Sequence, residues 1–101
     1  MKTDMNVALN MYGRFIVDEH KVELTPVYKF GGLNGMLIEV TFKDGSTWSS
    51  TFDKDTMKNG KLNWGNSENY EISIEFANVG NDSVDIGLDI SYIRKGGCML
   101  W

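Results

Sequence analysis

The sequence predicts an all-β fold, a small antiparallel β-sandwich or jelly roll of about seven or eight short strands. Three observations carry this prediction. Apolar and polar residues alternate with period two through most of the 101 residues, as they do along strands that bury one face. Glycine, asparagine and aspartate cluster between these runs, where turns need them. Only one short stretch, Asp53 to Gly60, carries helix signals. A chain of this length is expected to form one domain, residues 1–101, burying roughly two-thirds of its unfolded surface.

Met5 to Val17 opens the alternation, with Met5, Val7, Leu9, Met11 and Phe15 on one side. Gly13 interrupts it and marks a bulge or bend. Asp18-Glu19-His20 reads as a polar turn. A second strand over Lys21 to Phe30 keeps Val22 and Leu24 in phase. Pro26 cannot donate to a ladder, so this strand lies on an edge or breaks there. Gly31-Gly32-Leu33-Asn34-Gly35 reads as a loop; without a following helix or a Lys-Ser/Thr pair it is no phosphate cradle. Met36 to Phe42 forms the next strand, and Asp44-Gly45 turns it into a hairpin. A loop of Asp44-Gly45-Ser46 would align Phe42 with Trp48 and Ile38 with Phe52, gathering aromatics on the core face.

In Asp53 to Gly60, Asp53 or Asp55 is placed to cap a single helical turn, and Asn59-Gly60 to end it. Asp53 and Asp55 have the spacing of the first two ligands of a calcium loop. Met57 and Lys58 occupy positions that need an oxygen ligand and a glycine, and the bidentate glutamate is missing, so that reading fails. Lys61 to Trp64 is a short strand, and Gly65 to Asn69 a turn. Tyr70, Ile72, Ile74 and Phe76 then alternate with Glu71, Ser73, Glu75 and Ala77. After the turn at residues 78–82, Val84, Ile86, Leu88, Ile90 and Tyr92 alternate with Asp85, Gly87, Asp89 and Ser91. This is the strongest hairpin signal in the chain. The last residues, Cys98-Met99-Leu100-Trp101, read as a short strand docking Leu100 and Trp101; a terminal tryptophan excludes a prenylation motif.

The polar face of the main hairpin is one-signed: Glu71, Glu75, Asp85 and Asp89. With Phe76 opposite Val84, Glu75 would face Asp85 and Glu71 would face Asp89, each pair costing ~0.2–1 kcal/mol. A shift by two residues sets Glu75 opposite Gly87 and Ser73 opposite Asp89 and relieves the repulsion, as lysines from neighbouring strands would. Such a face reads either as a solvated outer surface of relaxed register or as one that meets a basic partner surface or a bound cation.

Composition narrows the function classes. Ten Lys and Arg against 14 Asp and Glu give a net charge of −4, which argues against binding nucleic acid or an anionic membrane surface. One histidine, His20, and one cysteine, Cys98, give neither a metal cluster nor a disulfide, so no cofactor or metal is expected. Neither residue has the makings of a catalytic triad, and an enzyme is the least favoured class. No signal-peptide-like or transmembrane run occurs, which predicts a cytoplasmic location, although a virion protein or an excised secreted module would read alike.

The leading expectation is a non-catalytic protein-interaction module, such as a small phage-type inhibitor or accessory protein. Its acidic hairpin face (Glu71, Glu75, Asp85, Asp89) would meet a basic surface on another protein. One alternative is a carbohydrate-binding module stacking sugars on Trp48, Trp64 and Tyr70, beside Asn63, Asn66 and Asn69. A further alternative is a structural subunit whose edge strand, near Pro26 or at the C-terminus, completes a neighbour's sheet.

Overall fold

The computed structural model describes residues 2–93. Over that range the chain forms β1 (Lys2–Ala8), β2 (Gly13–Val17), β3 (His20–Lys29), β4 (Gly32–Thr41), β5 (Thr47–Asp53), α1 (Lys54–Lys58), β6 (Asn63–Asn66), β7 (Tyr70–Ala77) and β8 (Ser83–Tyr92). Two four-stranded antiparallel sheets face each other, in the orders β1-β8-β7-β6 and β2-β3-β4-β5. Neighbours are consecutive except for β1 beside β8, so this is a sandwich of two meanders and lacks the interleaved order of a jelly roll. The expected strand at Cys98 to Trp101 lies outside the described residues.

The core follows from the alternation. Ile72, Ile74 and Phe76 of β7 and Val84, Ile86 and Leu88 of β8 meet Val22, Leu24, Met36, Ile38, Val40 and Phe52 of the second sheet, all buried. Burying such a side chain contributes about 1.5–3 kcal/mol each. Asp53 caps α1 by accepting from the Thr56 backbone N–H at 2.8 Å, and Gly60 takes a φ of 71° just past the Asn59 cap. The turn thereby delivers Met57 into the core.

Several local readings change. The Met5–Val17 run is split: β1 ends at Ala8 in one sheet, Gly13 starts β2 in the other, and Met11 is exposed on the crossover while Leu9 is buried. Asp18 and Glu19 alone make the turn, with φ values of 48° and 70°. A two-residue turn sets His20 opposite Val17, and parity sends the histidine into the core. Likewise Phe30-Gly31 makes the whole β3–β4 turn, so the expected glycine loop is already strand from Gly32 onward. Pro26 stays in β3, opposite Met36, beyond the point where β2 stops pairing at Leu24. It therefore occupies an edge, as a residue without an N–H requires.

The β4–β5 loop has the expected odd length but is Lys43-Asp44-Gly45. The Gly45 N–H donates to the Phe42 carbonyl, and the Phe42 N–H to the Ser46 carbonyl, both at 2.8 Å. Asp44 Oδ1 accepts from the Ser46 N–H at 2.9 Å and from its hydroxyl at 2.6 Å, which fixes this turn. Trp48 consequently faces Val40 and Phe52 faces Met36, two residues from the expected partners but on the same face. β6 also starts two residues later than the sequence suggests. Gly65 belongs to the strand because Trp48 lies across it: a Cβ there would be 2.1 Å from the indole Cε2.

Candidate functional site

The first sheet turns its outer face to solvent, and registers across all four strands define what stands there. One row runs Lys2, Asp89, Ser73, Trp64; the next runs Asp4, Gly87, Glu75; a third runs Asn6, Asp85, Ala77; a fourth runs Ser91, Glu71, Asn66. The four carboxylates singled out from the sequence thus share one face. β7 and β8 adopt the relieved register, with Glu75 opposite Gly87 and Ser73 opposite Asp89, so no carboxylate faces another across this pair.

β1 completes the face through a pairing with β8 that no local sequence pattern reveals. Asp4 adds a fifth carboxylate, and Lys2 is the single cation in these outward strand positions. The Lys2 ammonium forms an ion pair with Glu75, reaching it over Gly87. That glycine leaves the passage open: a Cβ on it would lie 2.8 Å from Lys2 Cε and 3.2 Å from Glu75 Cγ. Asp85 accepts from the amides of Asn6 and Asn78, both at 2.7 Å. Hydrogen bonds from Asn78 and then Asn6 hold its carboxyl below the usual aspartate range. An open depression of about 490 Å³ lies among Lys2, Asp4, Asn6, Glu75 and Asp85. The carboxylates of this face are spaced by glycine, serine and amide side chains, and Asp85 is held in place by two amides.

The three rings of the carbohydrate alternative do not converge. Tyr70 is buried, stacked on Phe42 with centroids 5.1 Å apart and meeting His20 edge-on at 4.8 Å. Trp48 is half-buried against Phe52 and Gly65, bridging the edges of the two sheets. Trp64 alone is open, 62% exposed on the outer face. Tyr70 has the same parity as Ile72 and Ile74, and that signal already assigned it to the core.

His20 has a structural place. Its Nδ1 accepts the Lys43 backbone N–H at 3.0 Å, tying the β2–β3 turn to the β4–β5 turn. Burial, and secondarily the charge of Lys43, lowers its pKa below the ordinary histidine value. Among the described residues no group of three or more His, Cys, Asp or Glu side chains is placed to hold a metal ion. Among them, too, no helix is long and apolar enough to cross a membrane. Comparison with protein-family models, with curated proteins and with solved structures found no match.

Proposed function

We propose that the protein is a non-catalytic interaction module that engages a basic surface of another protein through the outer face of the β1-β8-β7-β6 sheet. The observation that carries this reading is the composition of that face: Asp4, Glu71, Glu75, Asp85 and Asp89 against Lys2. Like charges gathered on one face raise the energy of the folded chain, and a cationic partner relieves that repulsion while being steered toward it. The amide bonds to Asp85 pre-orient one acceptor, which lowers the ordering cost of binding. A small inhibitor or accessory factor is the kind of protein this surface suits. The carbohydrate alternative rests on Trp64 alone, and an isolated ring gives a sugar little to bind.

The test is capture from a native extract with mass-spectrometric identification, comparing wild type with the variant Glu71→Lys, Glu75→Lys, Asp85→Lys, Asp89→Lys. The reading expects a basic protein retained by wild type and lost by the variant, with far-UV circular dichroism unchanged. Equal retention by both would remove the acidic face from the interaction.

A further inference from the structure

The β3–β4 hairpin turns on a residue whose side chain lies wholly in solvent. Phe30 occupies the first turn position with a φ of 52°, a conformation that bulky side chains adopt only under strain, and its side chain is fully exposed. Asparagine or glycine would suit that turn better. The strands leading to it extend beyond β2 and β5, with Leu33 still packed against the core. Pairing with β2 stops at Leu24, and pairing with β5 starts at Gly35. Among the described residues, then, the ribbon from Tyr28 to Leu33 has no third strand beside it. Tyr28 is exposed as well, and Lys29 gives the tip a positive charge.

The opposite end of the molecule carries a complementary feature. β4 runs from this tip to Thr41, and the next residue, Phe42, stacks on Tyr70 at the start of β7. Asn69 also donates to Asp44 Oδ2 at 2.9 Å. The start of β7 therefore lies at the far end from Phe30 in a body measuring 55 × 24 × 23 Å. There, on the outer face, Trp64, Gly65, Asn66 and Glu71 line a depression of about 280 Å³. The depression is open to solvent and bordered by the exposed Trp64 ring, so a phenylalanine side chain can lie against the indole there.

We propose that the chain associates with itself head to tail, Phe30 of one copy seating against Trp64 of the next, with Lys29 beside Glu71. Exposed ring meets exposed ring, convex tip meets depression, and the charges are opposite. The two surfaces lie at opposite ends, so one molecule does not satisfy itself. The contact is heterologous and leaves a free tip and a free depression on every short chain of copies. It goes beyond the basic-partner reading and shares only Glu71 with it. A contact limited to a hairpin tip is small, which places its dissociation constant in the weak range of roughly 0.1–1 mM.

Sedimentation equilibrium of the full chain over about 20 µM to 1 mM, spanning that range, reads the association directly. The wild-type average mass is expected to climb above the 11.4 kDa of one chain. Phe30→Ala and Trp64→Ala should each stay monomeric; both side chains are exposed, and circular dichroism checks their fold. An equimolar mixture of these two variants retains one intact tip and one intact depression, so it should form dimers and nothing larger. Lys29→Glu should weaken association at least tenfold and regain it in combination with Glu71→Lys. A wild type that stays monomeric, a Phe30→Ala variant that associates normally, or a mixture that stays monomeric would each overturn the proposal. Glu75→Lys with Asp85→Lys should leave association unchanged, so failure here is distinct from failure of the basic-partner reading.

Discussion

The two sheets bury similar apolar faces but differ in what they show to water. On the first, Asp4, Glu71, Glu75, Asp85 and Asp89 stand against Lys2. On the second, Arg14 and Lys21 stand with Glu23, Glu39 and Asp53 among Ile16, Leu37 and a ladder of Thr25, Thr41, Thr47, Ser49 and Thr51. Hydrogen bonds from Thr56 and, to a lesser degree, the nearby charge of Lys29 lower the Asp53 pKa. There Glu23 and Glu39 are directly opposite, yet Arg14 faces Glu23 on the other side and Lys21 lies 3.6 Å from it. The Tyr12 hydroxyl also donates to Glu23 and is the main cause of its lowered pKa. A sandwich needs only wettable outer faces, and the second sheet meets that need with charges cancelled. The first carries carboxylates in excess of that need, which is why it is the face proposed for binding.

Two glycines sharpen the contrast, one on each outer face. A Cβ on Gly35 would lie 2.1 Å from the Phe52 carbonyl oxygen and 2.7 Å from Asp53 Cα, both backbone atoms. Gly35→Ala is therefore expected to cost about 3 kcal/mol or more by separating β4 from β5, read by urea unfolding. A loss below 1 kcal/mol would show that the second sheet is more pliable than this account holds.

pH separates the acidic face from the seam between the sheets. The depressed pKa of His20 means that below the ordinary value of about 6.5 the unfolded chain takes up a proton that the folded chain refuses. Stability should fall as the pH drops from 7.5 to 5.5, by no more than about 1.4 kcal/mol per pH unit, and His20→Gln should flatten that slope. The Asp85 carboxyl is also depressed, so its contribution is present above the ordinary aspartate value of about 3.9 and disappears only as the pH falls below it. A wild-type curve that is flat from 7.5 to 5.5 and drops only near pH 4 would assign all acid sensitivity to carboxylates.

The smallest effect is expected at Gly87, where an added Cβ meets the movable ends of Lys2, Asp4 and Glu75. Gly87→Ala should change stability by less than about 0.5 kcal/mol, while shifting the Lys2 and Glu75 side-chain resonances as their ion pair is displaced. Large destabilisation instead would mean that those side chains are locked.

Period-two alternation made much of this legible. It identified the β7–β8 hairpin and its faces; charge repulsion left two registers in view, and the structure takes the one that sets Glu75 opposite Gly87. Turn chemistry located Asp44-Gly45 and the capped turn at Asp53. What remained hidden depends on pairing between distant strands: nothing local places β1 beside β8, so Lys2, Asp4 and Asn6 did not declare themselves part of the face. Turn length hid His20, because two residues or three at Asp18-Glu19 decide whether it faces water or the core. The odd β4–β5 loop already places Trp48 on the core face, where it packs against Phe52 and Gly65, at odds with a role as a sugar platform.

On the proposed function, position and not total charge makes the first sheet the binding face. The most direct test compares two variants with the same change in net charge, Glu71→Lys with Glu75→Lys against Glu23→Lys with Glu39→Lys. Both are titrated calorimetrically against the protein captured by wild type. The account predicts that the first pair lowers affinity at least tenfold, about 1.4 kcal/mol, and that the second leaves it within twofold. Equal losses from both pairs, or a larger loss from the second, would contradict it.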